Sequence, residues 1–222
     1  MRDQLRKPLP RSDLTTLFPS MNTIASSNSG GASAAARFVG LLETLGVTHV
    51  ITVPDNTSAP IIDLLQARRH SGSEGRGNAD ISISLITATR EGEAMGIASG
   101  LWLGGAKPAV LIQNTGLLEA GDGLRGTAVR MGIPLLLLIT CRGFEKARKA
   151  GVDPLLGVQD RDVLVRSDLD SVAFMTKATL DAQGIPHWLV TDASDLSPVE
   201  EAEAHARAEM RPVAVLIDTT FD

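Results

Sequence analysis

A single cysteine, Cys141, excludes an internal disulfide, so the chain carries no mark of an oxidising compartment. It lies in the apolar run IPLLLLITC with no histidine near it in sequence, and reads as a small buried hydrophobe rather than a nucleophile. The four histidines, at 49, 70, 187 and 205, stand far apart, and no pair has metal-ligand spacing. Neither a GxSxG nor a P-loop occurs, which removes the common machinery of acyl and phosphoryl transfer. Basic charge is not in excess: the formal net charge is −5, which leaves no electrostatic footprint for nucleic acid. The longest apolar run falls far short of the ~20 residues a membrane span needs. The opening MRDQLRKPLPRSD is charged but has no apolar segment behind it to make a secretory signal. These absences lead to the expectation of a cytoplasmic protein with neither nucleic acid nor membrane as partner.

What is present describes an ordinary globular domain, with 43% hydrophobic and 21% charged residues in 222. Residues 1–32 mix Pro and Arg with SSNSGGAS and are too poor in apolar residues to repay ordering, so they are expected to be a flexible leader. A single domain is expected over 33–222. There, apolar runs such as THVITVP, ISISLITAT, PAVLIQ, IPLLLLIT, PHWLVT and PVAVLID alternate with segments of helical spacing. GLLEAGDGLRGTAVRMG reads as a weak helix, Arg142 to about Asp160 as irregular, and DVLVRSDLDSVAFMTKATLDAQG as helical. Continuous Val/Ile/Leu strands between helices predict a doubly wound α/β fold, a mostly parallel sheet with helices on both faces. Ligands then belong at the C-terminal ends of the strands.

A literal GxGxxG occurs at Gly121, Gly123 and Gly126. A dinucleotide fingerprint needs its first glycine at the turn after a strand and an acidic residue at the end of the next one. Here the strand ends near Gln113 and the next ends ITCRG without a carboxylate, so that reading fails. The GDG within the same stretch would open a magnesium-diphosphate loop only if an asparagine followed about 25 to 30 residues later. Asp122 offers a first ligand, but no asparagine follows Asn114, so no metal site is expected in this chain.

More informative is TREGEAMGIASGLWLGG. Gly92, Gly96, Gly100 and Gly104 fall four apart, on one face of a helix, where each exposed glycine costs about 1 kcal/mol relative to alanine. Such a stripe implies a close neighbour, either a helix of the same domain or another chain. Glu91 opens this helix, where the N-terminal dipole favours its charge, at the end of a buried strand.

TREGEAMGIASG, followed by KPAVLIQNTGL and IPLLLLITCRG, resembles the pyrimidine-binding domain of thiamine-diphosphate decarboxylases, above all the sulfopyruvate and phosphonopyruvate decarboxylase group. VPDNTSAPIIDLL resembles that group's VPD segment, and the similarity runs over about residues 33 to 218. The resemblance implies that Glu91 hydrogen-bonds N1′ of the cofactor's aminopyrimidine, favouring the tautomer that activates the thiazolium C2. A carboxylate held away from water at a helix start is suited to share a proton with a weakly basic ring nitrogen. Asp55 matches an acid that handles substrate or protonates the enamine. Gln113, Asn114, Thr115 and Gly116 match the segment beside the cofactor, with Asn114 also placed to orient substrate. Arg142 is read either as a partner for a sulfonate or phosphonate or as one half of a structural salt bridge.

Where the group has GLGNSINAL this chain has GLLEAGDGL, so Leu118 replaces glycine and Glu119 and Asp122 replace asparagines. The added negative charge suits a dianionic substrate only if Arg142 or Arg125 offsets it. The resemblance further implies a two-chain enzyme. This chain would be the α subunit, active only with a separate β subunit that carries the diphosphate-binding domain and holds Mg2+. The glycine stripe would be the contact with another chain, and the substrate a 2-oxoacid. The alternative is a non-catalytic binding or regulatory module that retains the fold.

Overall fold

The computed structural model describes residues 32–71, 83–156 and 161–221. The expected leader lies outside them apart from Ala32, as does most of the polar loop SGSEGRGNAD. Residues Ala32–Asp222 form one compact unit.

Ser33 accepts the Ala36 N–H at 3.2 Å and starts helix α1 (Ala34–Thr44), whose Phe38, Val39 and Leu42 are fully buried. Gly46, at φ +76°, turns the chain into strand β1 (His49–Thr52). Helix α2 (Ala59–Ser71) has Pro60 in its first turn, and leads to strand β2 (Ser84–Thr87), helix α3 (Glu91–Leu103) and strand β3 (Pro108–Gln113). Strand β4 (Leu136–Thr140), strand β5 (His187–Val190), helix α9 (Ser197–Glu209) and strand β6 (Val213–Ile217) complete the expected alternation.

All strand pairings are parallel, in the order β2-β1-β3-β4-β6-β5. Within the central strands side chains alternate between two cores. Leu111 and Leu138 face α1, α2 and α9, while Val110, Ile112 and Ile139 face α3 and the helices that follow it. Each such residue contributes about 2 kcal/mol by leaving water, which is why these runs need no polar alternation. Among the described residues no helix is long and apolar enough to cross a membrane.

Three segments differ from the sequence expectation. The weak helix after β3 is broken into α4 (Asn114–Glu119), α5 (Gly121–Leu124) and a π-helical turn (Arg125–Val129). Its Gly123 is not idle: a Cβ there would lie 3.0 Å from the Gly92 carbonyl oxygen, so the glycine lets α5 approach the first turn of α3. The stretch after β4, expected to be irregular, contains α6 (Phe144–Lys149), because Phe144 and Ala147 insert into the core and hold a short turn that spacing alone would not stabilise. The helical material that follows is split into α7 (Arg161–Leu164) and α8 (Val172–Ala182) by RSDLDS, where Arg166 pairs with Asp168 at 2.6 Å.

β1 hands the chain to α2 on one face of the sheet, and its neighbour β3 hands it to α4 on the other. The C-terminal ends of β1 and β3 therefore border a crevice at a topological switch point.

Candidate active site

Three carboxylates gather around the N-terminus of α3, and their hydrogen bonds separate them. Arg90, the residue before the helix, is extended and offers no side-chain cap, so the first turn needs acceptors from elsewhere. Glu93 reaches back past the cap to Thr89, whose N–H and Oγ1 donate to Oε2 at 2.9 and 2.7 Å. Glu119, the last residue of α4, supplies an acceptor to the turn itself. Its Oε2 accepts the Gly92 N–H at 2.7 Å and its Oε1 accepts Arg90 Nε at 2.8 Å. These bonds, from the Thr89 side chain and the Gly92 backbone respectively, hold the Glu93 and Glu119 carboxyls below the usual range.

Glu91 differs from both. No described residue donates a side-chain hydrogen bond to it, and its side chain lies against Gly116 in α4: a Cβ on Gly116 would stand 2.4 Å from Glu91 Cγ and Oε1. The fourth position of QNTG is thus glycine because the glutamate occupies the space a side chain would fill. The two are brought together by β2 and β3 ending at the same edge of the sheet on either side of β1.

Asp55, at the end of β1, is tied down by its own loop. Its Oδ1 accepts the N–H groups of Thr57 and Ser58 at 2.7 and 3.2 Å, and its Oδ2 accepts Ser58 Oγ at 2.7 Å and Thr140 Oγ1 at 3.3 Å. These bonds shape the entry to α2 and link β1 to β4. Gln113 is half-buried; its Oε1 accepts Thr115 Oγ1 at 2.9 Å, and Thr115 is exposed at the mouth.

Asn114 turns into the protein. It is fully buried, its Nδ2 donates to the Arg142 carbonyl at 2.9 Å and to Thr176 Oγ1 at 3.1 Å, and its Oδ1 accepts the Arg142 N–H at 3.2 Å. Both amide donors and one acceptor position of the carbonyl are engaged inside the protein. Its service is to clamp the end of β3 to the chain after β4. The Arg142 side chain makes the structural salt bridge, Nε to Asp170 Oδ2 at 2.8 Å, although it is 58% exposed. Gly143, at φ +87°, permits this turn, since a Cβ there would meet Asp170 Cβ at 2.9 Å. Of the two added charges, Asp122 is offset by Arg125 at 2.6 Å, as expected, whereas Glu119 is offset by Arg90, which the sequence did not single out. Cys141 is half-buried, and burial pushes its thiol far up, consistent with an inert side chain.

Comparison with known proteins gives this geometry a context. The family described as "Thiamine pyrophosphate enzyme, N-terminal TPP binding domain" matches residues 32–161, more than half of the chain. The chain belongs to this family. Within it, the chain is similar to sulfopyruvate decarboxylase subunit alpha of Methanococcus maripaludis, 31% identical over 79% of this chain and 89% of that one. It is also similar to phosphonopyruvate decarboxylase of Streptomyces viridochromogenes, 31% identical over 61% of this chain and 31% of that protein. A solved structure described as a candidate thiamin diphosphate-dependent enzyme from Mycobacterium smegmatis shares the fold, with TM-score 0.55 and 19% identity over 84% of this chain and 30% of that one. The chain thus spans most of the archaeal subunit but only about a third of the other two proteins.

For a TPP-binding domain the residues present fit a planar aminopyrimidine. An unengaged carboxylate rests on a position without a side chain, at the carboxyl edge of a parallel sheet. Sequence reasoning missed Glu93, Thr140 and Thr176, and took Glu119 only as a departure. A glutamate at the third helical position signals a cap, but the long-range bonds of Glu119, Thr140 and Thr176 leave no mark in local spacing.

Proposed function

We propose that this chain is the pyrimidine-binding α subunit of a two-chain thiamine-diphosphate-dependent 2-oxoacid decarboxylase, acting on a sulfopyruvate- or phosphonopyruvate-like substrate. The observation that carries the reading is the Glu91 carboxylate, without a side-chain donor among the described residues and seated over Gly116, while its two neighbours are tied down. When bound, the cofactor supplies the carbanion chemistry of decarboxylation. Glu91 accepts a hydrogen bond from, and shares its proton with, the ring nitrogen N1′. Gly116 leaves room for that carboxylate, and Gln113 and Thr115 line the approach from β3. Asp55 is assigned to the substrate side of the crevice, held in place by its four bonds.

The relatives named as subunit alpha support a partner chain, to which we assign the diphosphate and Mg2+. Asp122, the candidate metal ligand of this chain, is 90% exposed and paired with Arg125, which supports that assignment. The outer face of α3 supports the contact. Gly92 is used within the chain, against Glu119 and Gly123, whereas a Cβ on Gly96 or Gly100 would meet only open space. No charged residue occurs between Glu93 and Lys107, and Leu103 is 61% exposed. An apolar helix face of this kind fits burial by another chain.

The test is calorimetric titration of thiamine diphosphate and Mg2+ into the chain, alone and mixed with a GDG-bearing partner chain. Tight binding by the mixture only, with 2-oxoacid turnover abolished by Glu91→Gln, is the expected result. No binding in either case, or unchanged turnover in Glu91→Gln, would overturn the reading in favour of a regulatory module.

A further inference from the structure

The first turn of α3 has no cap from Arg90, so its free N–H groups attract whichever anions lie within reach. Glu119 meets this need from outside the helix. It takes the Gly92 N–H at 2.7 Å and binds Arg90 through Nε at 2.8 Å and a second guanidinium nitrogen at 2.5 Å. Glu93 is already committed to Thr89. Without Glu119 the Gly92 N–H would lose its acceptor, and the carboxylate of the adjacent Glu91, which has no donor of its own among the described residues, would be open to recruitment by its own helix. Glutamates in the first turn commonly satisfy such amides.

We infer that Glu119 is a positioning residue for Glu91: by saturating the start of α3 from α4, it leaves the Glu91 carboxylate over Gly116, directed at the bound ring. The inference rests on the role proposed above for Glu91. Two further features of the packing agree with it. The Glu119 carboxylate packs directly on Gly92, and Gly123 brings α5 against the same turn, where a Cβ would lie 3.0 Å from the Gly92 carbonyl oxygen. Arg90 neutralises Glu119, so a second carboxylate stands beside Glu91 without adding net charge to the mouth.

The decisive experiment needs no cofactor. In the full-length chain, nuclear Overhauser contacts between the Glu91 γ-protons and the Gly116 α-protons report where the side chain lies. They are expected in the parent protein, lost in Glu119→Ala and retained in Glu119→Gln, whose amide oxygen still accepts the Gly92 N–H. In the assembled complex, Glu119→Ala is expected to weaken thiamine diphosphate binding about tenfold, and this loss should vanish when Glu91 is already Gln. Contacts that survive in Glu119→Ala, or a binding loss of equal size in the Glu91→Gln background, would overturn the inference, since Glu119 would then act through the fold at large. Failure of the Glu91 assignment shows itself separately, as Glu91→Gln binding and turning over like the parent while the contacts in Glu119→Ala and Glu119→Gln still follow the pattern above.

Discussion

Two carboxylates stand at the ends of neighbouring strands, Asp55 after β1 and Glu91 after β2, and their surroundings could hardly differ more. Asp55 accepts four hydrogen bonds from its own loop and from Thr140. Glu91 receives no side-chain donor among the described residues, because Glu93 and Glu119 have taken the groups nearest to it. Four accepted hydrogen bonds fix the Asp55 carboxylate in its loop, whereas that of Glu91 is kept in place by packing on a glycine. Position at the carboxyl edge of the sheet is shared by both, so it is the neighbouring donors that distinguish them.

The contrast can be broken most sharply at Glu91. Glu91→Gln should lower turnover of the assembled enzyme by about 10²-fold or more, the scale of a lost proton-transfer group, with an unchanged melting temperature. Gly116→Ala should come close to this, because the added Cβ must displace Glu91 Cγ from 2.4 Å; steady-state kinetics would read a loss of about 10²-fold from misplacement. If Gly116→Ala turns over normally, the cradle is not part of the site.

Effects on stability should follow a different order. Asn114→Ala leaves the Arg142 N–H and carbonyl and the Thr176 hydroxyl without their partner, at a cost of about 2 to 3 kcal/mol in chemical denaturation. Asp55→Ala should cost about 2 kcal/mol through loss of the loop bonds. Asp55→Asn sharpens the comparison: a fall in turnover larger than the change in stability would assign the carboxylate a direct part in handling substrate. Asp122→Asn, which breaks an exposed pair, should change stability by less than about 0.5 kcal/mol.

Acid should weaken the caps at the start of α3. Folding depresses the Glu119 and Glu93 carboxyls below their ordinary value of 4.5. Their contribution is therefore fully present above that pH and is lost as pH falls through the lower folded values. Protection factors of the Gly92 and Thr89 amides, corrected for the intrinsic pH dependence of exchange, should fall below about pH 4.5, ahead of those in β3 and β4. An equal fall at all these sites would mean that the caps are not a separate unit.

The sequence by itself determined the sheet. Apolar runs such as PAVLIQ and IPLLLLIT are too uniform for anything but strands buried on both faces, and the helices between them force parallel pairing. It also brought Glu91 forward, less by its place at the start of a glycine-striped helix than by the resemblance of TREGEAMGIASG to the thiamine-diphosphate decarboxylases. Tertiary structure alone decided what the neighbours do. Asn114, read from its segment as a ligand contact, is bonded to Arg142 and Thr176, which lie 28 and 62 residues away. Arg142 is engaged by Asp170, also 28 residues on, and Glu119 closes a helix that begins 28 residues before it. Local periodicity records which face of an element is buried, but a hydrogen bond is satisfied wherever the fold brings a donor and an acceptor together. The roles of polar residues at the strand ends were therefore fixed only when the sheet aligned those ends.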